Sequence, residues 1–441
     1  MKHFSLLAAL SFATLCTFLG GSAFATDPQQ HLAYTFPGQP NGAGPTSTLI
    51  SDAAGNLYGT TVDGGTSENC IWSGGANDGC GTVFELSPAA GGFAETVLYS
   101  FQDLSDGAVP YGGLAMDAAG NLYGAAAVGG GGLAELPGTI YELSPPAVSG
   151  GVWTFTKLYT FQSSSSTDGS LPYGTLILDH AGNLYGTTYA GGTSNDGTVF
   201  KLSPPSSGGS WTETVLHSFS GSDGQGPMAG LFMDTAGSLY GTTVYGGIST
   251  GAACLGSGCG VAFKLSPASG GTWTELVLHQ FHFDIGTDGR YPYSNLTFYQ
   301  GNFYGTVSDA PGYGGEVFEL TPGHGGPWGF SVIHAFNAGG DGNFPYSGLT
   351  VDTHGNLYGT TSGGGAGTGG GTVYKLAPPA ATGDPWTETI LTSFSFTSTD
   401  TDPIGGLLLK GSRLYGTTSA CQGQFFAGCS ISGTVFAITG F

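Results

Sequence analysis

Charged side chains are scarce in this chain. Only 9% of its 441 residues are Asp, Glu, Lys or Arg, against roughly 25% in an ordinary globular domain. Cations are the scarcer sign, with 8 Lys and Arg against 30 Asp and Glu and a formal net charge of -22. A surface of that sign repels phosphate backbones and anionic lipids. The composition therefore excludes nucleic acid as a partner and disfavours binding to anionic membranes.

Long hydrophobic runs are absent beyond the N-terminus. Lys2 precedes an apolar stretch over residues 4–19, and Ala23-Phe24-Ala25 has the small-x-small pattern of a cleavage site. These features are typical of a secretory signal peptide. We predict that residues 1–25 are a signal peptide and that the protein is secreted or otherwise extracytoplasmic. No later run reaches the roughly 18 residues of a membrane helix, so we expect neither membrane insertion nor a C-terminal anchor.

Catalytic signatures are missing as well. The sequence has no His-Glu-x-x-His motif and no phosphate loop ending in Gly-Lys, and its one Gly-x-Ser-x-Gly match, residues 247–251, lies in a connection between two predicted strands rather than at the strand-to-helix turn of a nucleophile elbow. The glycine run at 363–371 matches a dinucleotide fingerprint in composition only, because it leads into Thr372-Val373-Tyr374 rather than into a helix. The sequence assigns no catalytic residue and implies no cofactor.

What the sequence does contain is a repeat. The tract Leu-Tyr-Gly-Thr-Thr, or a close variant, starts at seven positions that are 54 to 65 residues apart: Leu57, Leu122, Leu184, Leu239, Phe303, Leu357 and Leu414. That period is the length of one four-stranded sheet with its turns. In the third repeat the apolar runs 174–179, 184–188, 197–202 and 211–219 alternate with Gly, Pro, Ser and Asn clusters. The pattern predicts an all-β, seven-bladed β-propeller with four antiparallel strands per blade.

The two ends of the chain predict how the ring closes. The last repeat has no fourth strand, whereas residues 31–36 match the fourth strands at 97–101 and 215–219. We therefore predict that blade 7 combines residues 404–441 with residues 31–36, so that no sheet edge is left open. Residues 26–441 then form a single domain, which we expect to be a monomer.

Six cysteines follow the predicted signal peptide, in three close pairs. Each pair lies between a Leu-Tyr-Gly-Thr-Thr tract and the next strand, which predicts three local disulfides: Cys70–Cys80, Cys254–Cys259 and Cys421–Cys429. Export supplies the oxidising compartment that they need. A metal site would instead require two pairs to converge in space.

Comparison of the blades separates packing residues from variable ones. The tyrosine of the tract, as at Tyr58, and the glycine after it occur in all seven blades. Both are expected to pack, with the glycine allowing the neighbouring blade to approach closely. One fourth-strand position holds His217, His279 and His334 but Tyr or Thr elsewhere, which indicates a half-exposed strand face. Aspartates such as Asp52 precede Ala-Gly-Asn-like turns and are expected to accept turn N–H bonds.

The connections between blades hold the candidate ligand-binding residues. Aspartate precedes glycine in five of them, at Asp106, Asp168, Asp223, Asp288 and Asp341, and tyrosine follows proline in four, at Tyr111, Tyr173, Tyr293 and Tyr346. Propeller topology places these connections on the same face as the cysteine loops. Carboxylates around a channel mouth would suit a calcium ion or a polar ligand, and Asp-Gly pairs are also typical of tight turns. The tyrosines would suit a carbohydrate surface or packing between blades.

The motifs also resemble a known family. The succession Gly-Asn-Leu-Tyr-Gly-Thr-Thr, Gly-Gly, Gly-Thr-Val-Phe-Lys-Leu-Ser-Pro, Leu-His-Ser-Phe and Asp-Gly, found around residues 183–223, is similar to the GloVer tandem repeat of exported bacterial proteins. The resemblance covers nearly the whole mature chain. The resemblance implies an extracytoplasmic propeller. It assigns no catalytic residue to this chain. Members often have a C-terminal sorting anchor, which we do not expect here.

Two functions are consistent with these features. The first is a non-catalytic protein that binds a polysaccharide or a cell-surface protein through the disulfide-bearing face. The alternative is a hydrolase or lyase for a sugar or lactone, with acidic residues at the channel mouth. The choice between these two functions depends in part on whether the fold brings Lys410, Arg413 and Arg290 close to carboxylates.

Overall fold

Seven four-stranded antiparallel sheets make up the computed structural model, which confirms the predicted seven-bladed β-propeller. The structure describes residues 28–68, 70, 79–102, 105–130, 137–148, 150–162, 167–247, 254, 256–283, 288–312, 314–323, 326–337, 339–367, 369–381, 383–395, 400–419 and 433–441. The predicted signal peptide and the Cys421–Cys429 pair lie outside these residues. No helix in the described ranges has the length and apolarity to cross a membrane.

Blades 1 to 6 are each built from one repeat, and the strands of every blade are counted outwards from the channel. Blades 1 to 3 consist of Ile50–Ser51, Leu57–Thr61, Thr82–Ala89 and Gly92–Ser100; Ala115–Met116, Leu122–Ala126, Thr139–Ser144 and Thr154–Thr160; and Ile177–Leu178, Leu184–Thr188, Thr198–Ser203 and Thr212–Ser218. Blades 4 to 6 consist of Phe232–Met233, Leu239–Thr243, Val261–Pro267 and Trp273–Gln280; Thr297–Tyr299, Asn302–Val307, Glu316–Thr321 and Gly329–Ala335; and Thr350–Val351, Leu357–Thr361, Thr372–Ala377 and Thr387–Ser393. A 3-10 turn at Ser269–Gly271 precedes the last strand of blade 4, and Gly42–Ala43 pairs with Asp63–Gly64 beside blade 1.

Blade 7 is closed by both ends of the described chain, as predicted. Its strands are Leu408–Lys410, Arg413–Thr418 and Thr434–Thr439, and the fourth is the N-terminal strand Gln29–Thr35. That strand runs antiparallel to Thr434–Thr439 and is about two residues longer at its start than the sequence suggested. Phe36 follows it, fully buried, and meets the Phe84 ring of blade 1 at 4.9 Å. Closure therefore pairs the outer edge of the last sheet and seals the seam with apolar contacts.

The hydrophobic core lies between successive blades. Tyr123 and Leu158 of blade 2, for example, pack with Leu184 and Phe200 of blade 3. The five-residue repeat tract in the second strand of every blade is buried, because it lies in the middle of its sheet with a neighbouring blade on each face; only Asn302 and Arg413, which precede the tract in blades 5 and 7, are more exposed. The tract tyrosine has the predicted packing role: Tyr58 meets Trp153 of the next blade edge-on at 6.2 Å.

The tract glycine has a different role from the predicted one. Gly186 lies directly opposite Phe200 in the register of blade 3. A Cβ atom at Gly186 would lie 2.8 Å from Phe200 Cζ and 2.8 Å from Leu176 Cδ2, both in the same blade. The glycine thus makes room for the large third-strand side chain of its own sheet. The prediction that it lets the neighbouring blade approach was wrong, because the nearest obstacle is the cross-strand partner.

Two of the three predicted disulfides are present in the described residues. Cys70 is bonded to Cys80 with a Cα–Cα distance of 5.2 Å, and Cys254 to Cys259 with one of 5.1 Å. All four cysteines are buried. Both bridges close connections between second and third strands, on the face that also carries the inter-blade connections.

Candidate functional site

Four tyrosines from the inter-blade connections line the mouth of the central channel. Each follows a proline and immediately precedes the first strand of its blade, so the ring is placed at the channel entrance. Tyr111 meets Tyr173 edge-on at 5.8 Å, and Tyr293 meets Tyr346 at 5.5 Å. All four side chains are half-buried. The remaining three blades contribute Thr46, Met228 and Ile404 at this level.

Further aromatic rings extend this cluster outwards. Tyr189 lies 5.9 Å from Tyr173, and Tyr245 lies 5.4 Å from Tyr291, which in turn is 6.5 Å from Tyr293. Tyr189 and Tyr245 belong to the connections that follow the repeat tract. The sequence reasoning missed these residues. The available signal was an aromatic residue at loop positions where the other blades carry Val, Ala, Ser, Gly or Asp.

The wall of the channel is uncharged. The residues around the mouth and around the section below it are Thr, Ser, Asn, Gly, Tyr and aliphatic or Phe side chains, with no Asp, Glu, Lys, Arg or His among those described. Burial, with a smaller effect of Tyr189, raises the pKa of Tyr173 to about 12. Burial also raises the pKa of Tyr293 and Tyr346. The phenol groups therefore remain neutral at any physiological pH.

The mouth is shallow. Its cavity has a volume of about 100 Å³, and the section below it about 270 Å³. Pockets that enclose a drug-sized ligand occupy roughly 300–1,000 Å³. A ligand at this site would therefore lie across the rings at the entrance rather than being enclosed by the channel.

The five candidate aspartates lie farther out, beside the fourth strands. Four of them contact the Tyr or His of the preceding strand: Tyr99 to Asp106 at 2.6 Å, Tyr159 to Asp168 at 2.8 Å, His217 to Asp223 at 3.2 Å and His279 to Asp288 at 3.0 Å. Asp341 accepts the Asn337 backbone N–H at 3.1 Å, and the other four accept similar backbone bonds. Such bonds are typical of turn chemistry. The structure thus brings the tyrosines together and places the aspartates at separate blade seams.

The next blade adds a second acidic group to several seams, which the sequence reasoning also missed. Glu213 faces the seam of Asp168, and Glu275 faces that of Asp223. Burial, reinforced by the charge of Asp168, raises the pKa of Glu213 to about 7. Burial and the charge of Asp223 do the same for Glu275. Where the equivalent residue is aromatic, the next blade adds a ring instead of a second acid, as at Phe155, which stacks on Tyr99 at 4.1 Å.

The turn aspartates behave as predicted. Asp52 Oδ1 accepts the backbone N–H groups of Gly55 and Asn56 at 2.8 and 2.9 Å, and Tyr58 donates to Oδ2 at 3.1 Å. Partial burial opposes ionisation, but these hydrogen bonds together lower the pKa of Asp52. The same arrangement occurs at Asp117, Asp179 and Asp352. These aspartates hold the first-to-second-strand turns.

Lys410, Arg413 and Arg290 do not come together at one site. Lys410 and Arg413 line a groove of about 630 Å³ between blades 7 and 1, on the face opposite the channel mouth. Lys410 Nζ donates to the backbone oxygen of Asp52 at 2.7 Å. Arg290 lies instead on the face of the mouth, where its Nε donates to Asp309 at 2.8 Å and its guanidinium covers the Phe283 ring at 4.1 Å.

One trio of metal-type ligands comes together in the described part of the chain. The ligand atoms of His334, Asp341 and Glu388 all lie within 4.8 Å of one another. The trio includes one of the five candidate aspartates and lies at the seam between blades 5 and 6.

The chain resembles known proteins in sequence and in fold. The profile of the Gloeobacter/Verrucomicrobia repeat matches residues 17–255, 70–314 and 206–366. No curated protein matches the chain in sequence. Similar solved structures include a putative oxidoreductase (glucose dehydrogenase) of Thermus thermophilus, with 18% identity, a TM-score of 0.45 and coverage of 75% of this chain and 96% of that one.

Two further solved structures are similar at the same level. The periplasmic gluconolactonase PpgL of Pseudomonas aeruginosa has 15% identity, a TM-score of 0.45 and coverage of 83% and 93% of the two chains. PorZ, a surface component of the type-IX secretion system of Porphyromonas gingivalis, has 12% identity and a TM-score of 0.47, and the match covers 89% of this chain and 47% of PorZ. Likenesses this distant do not bear on the site.

Proposed function

The chain belongs to the Gloeobacter/Verrucomicrobia repeat family, and we propose that this member is an extracytoplasmic protein that binds a neutral polysaccharide at the tyrosine-lined mouth of its channel. The observation that carries the proposal is the convergence of Tyr111, Tyr173, Tyr293 and Tyr346 at one entrance. An aromatic face covers the apolar side of a sugar ring, while nearby polar groups bond its hydroxyls. Asn295 lies beside the rings; its Oδ1 accepts the Gly230 backbone N–H at 2.6 Å, which leaves its amide N–H groups as donors for a hydroxyl.

The electrostatics of the mouth favour a neutral ligand. Its wall carries no charged side chain in the described residues, and the chain as a whole has a formal charge of -22. An acidic glycan would be repelled by that field and would find no cation at the mouth wall. Neutral hydroxyl groups carry no charge and meet no such repulsion.

The disulfides support a rigid surface on this face. Gly246 donates its backbone N–H to Ser257, inside the Cys254–Cys259 loop, at 2.7 Å. Tyr245, one of the outer aromatic residues, immediately precedes Gly246. Bridges of this kind form in oxidising compartments, which supports an extracytoplasmic site of action.

Binding to a panel of neutral and acidic polysaccharides, followed by calorimetry on the best ligand, tests the proposal. If each ring contributes about 1 kcal/mol, the double variant Tyr111→Ala/Tyr173→Ala should bind about 30-fold more weakly. Tyr299→Ala is the matched control, because Tyr299 lies on the opposite face. Its affinity should equal that of the native protein. Tyr173→Phe should retain most of the affinity if stacking dominates.

Two results would contradict the proposal. One is a native protein that retains no neutral glycan, and the other is equal loss in the control and the mouth variants. The same samples separate binding from catalysis, because a binding protein returns the glycan unchanged. A hydrolase or lyase would release products and lose that activity in Asp168→Asn.

A further inference from the structure

The seam between blades 5 and 6 gathers three metal-type ligands from separate segments. His334 lies on the fourth strand of blade 5, Asp341 in the connection that follows it, and Glu388 on the fourth strand of blade 6. Their ligand atoms lie within 4.8 Å of one another. The grouping does not depend on the polysaccharide site, which lies at the channel.

Two of these ligand atoms lie within ion-pair distance of each other. His334 Nε2 and Glu388 Oε1 are 3.4 Å apart. Both atoms are inaccessible to solvent, and neither has a hydrogen-bond partner. Two ligands bound tetrahedrally at about 2.0–2.1 Å from one zinc ion would themselves be about 3.4 Å apart. The separation at this seam therefore fits one edge of a zinc coordination shell.

The third ligand is held in place by its own turn. Asn337 donates its backbone N–H to Asp341 Oδ1 and Oδ2 at 3.2 and 3.1 Å, and its side-chain amide lies 3.4 Å from Oδ2. Metal-binding carboxylates are commonly oriented by such outer hydrogen bonds. The two carboxylates repel each other, a cost that a bound dication removes.

The equivalent seam between blades 3 and 4 differs in its hydrogen bonding. It holds the same residue types, His217, Asp223 and Glu275. There, however, the His217 ring is already hydrogen-bonded to Asp223 at 3.2 Å. Within the described ranges, only the seam between blades 5 and 6 brings three such ligand atoms within range of one ion.

From this geometry we infer that His334, Asp341 and Glu388 bind one Zn²⁺ ion that links blades 5 and 6, with a water molecule as the fourth ligand. One imidazole and two carboxylates match the nitrogen and oxygen ligands of zinc. Calcium would require six to eight oxygen ligands, more than these side chains supply. The ion thereby joins adjacent blades in the way that a disulfide joins two segments.

Zinc titration of the full chain, produced without a polyhistidine tag and dialysed against a chelator, tests the site. Calorimetry should show one Zn²⁺ per chain with a micromolar or lower dissociation constant. Replacement by Co²⁺ should give the visible absorption of a tetrahedral site. His334→Ala and the isosteric Glu388→Gln should each weaken binding at least 100-fold. His217→Ala and Glu275→Gln are the matched controls and should bind zinc as the native chain does.

The proposal fails if the native chain binds no stoichiometric zinc. It also fails if Glu388→Gln binds as tightly as the native chain, if His217→Ala loses as much affinity as His334→Ala, or if Ca²⁺ displaces Zn²⁺ at equal concentration. Circular dichroism of each variant without metal checks the fold. Asp341→Asn, which keeps the shape of the side chain, serves as a third ligand variant should His334→Ala be unfolded.

Discussion

Replacement of one tract glycine tests the packing of the blades most directly. In Gly186→Ala the new methyl group would lie 2.8 Å from both Phe200 Cζ and Leu176 Cδ2. Phe200 is 0% exposed and Leu176 is 2% exposed, so neither can move towards solvent. Overpacking of this kind costs about 1–3 kcal/mol. The alanine also restricts the unfolded chain, which offsets about 0.4–1 kcal/mol, so we expect a net loss of about 1–2 kcal/mol.

Urea unfolding monitored by tyrosine and tryptophan fluorescence measures this loss. Gly326→Ala is the control, because a Cβ at Gly326 meets nothing within 4 Å and its φ lies outside the left-handed region. That variant should be neutral or slightly more stable than the native protein. In the double variant Gly186→Ala/Phe200→Leu the smaller side chain makes room for the methyl group. The two changes should therefore be non-additive, with a coupling of about 0.5–3 kcal/mol.

A native-like midpoint for Gly186→Ala would refute this reasoning, and so would strict additivity in the double variant. Either result would mean that the sheet relaxes around the methyl group. The requirement for glycine in the tract would then need another explanation, such as the neighbouring blade.

Three further predictions concern the seam, the disulfides and pH. Phe36→Ala should cost about 3–5 kcal/mol in urea unfolding, since this fully buried ring seals the seam between blades 7 and 1; a loss below 1 kcal/mol would argue against closure by the N-terminal strand. Cys70→Ser/Cys80→Ser removes a bridge across 10 residues and should cost about 2.7 kcal/mol in the loop-entropy model, seen as a lower midpoint under non-reducing conditions. Burial, and to a smaller extent a nearby aspartate, raise the pKa of Glu213 and Glu275 from 4.5 to about 7. Between about pH 4.5 and pH 7 the folded state therefore binds more protons than the unfolded state. Stability should therefore fall as pH rises from about 4.5 to 7, and a melting profile just as steep in Glu213→Gln/Glu275→Gln would contradict that origin.

The repeat in the sequence was sufficient to predict the architecture. Strand number and blade number follow from the alternation of side chains and from the period of the tract, and the closure of blade 7 follows from the match of residues 31–36 to the fourth strands of other repeats. The disulfides Cys70–Cys80 and Cys254–Cys259 were also predictable, since each closes a short loop.

The contacts across blade seams could not be predicted from the sequence in this way. Asp106 and Tyr111 are five residues apart, yet the first bonds a fourth strand while the second lines the channel. A one-dimensional pattern places both on one face but does not give their distance from the propeller axis.

The same limit applies to partners from different repeats. His334 and Glu388 are 54 positions apart in sequence and 3.4 Å apart in space, because the fourth strands of successive blades lie side by side. The repeat period defines the blades, whereas the packing of one blade on the next decides which polar side chains meet, and hence where a ligand or metal ion is able to bind.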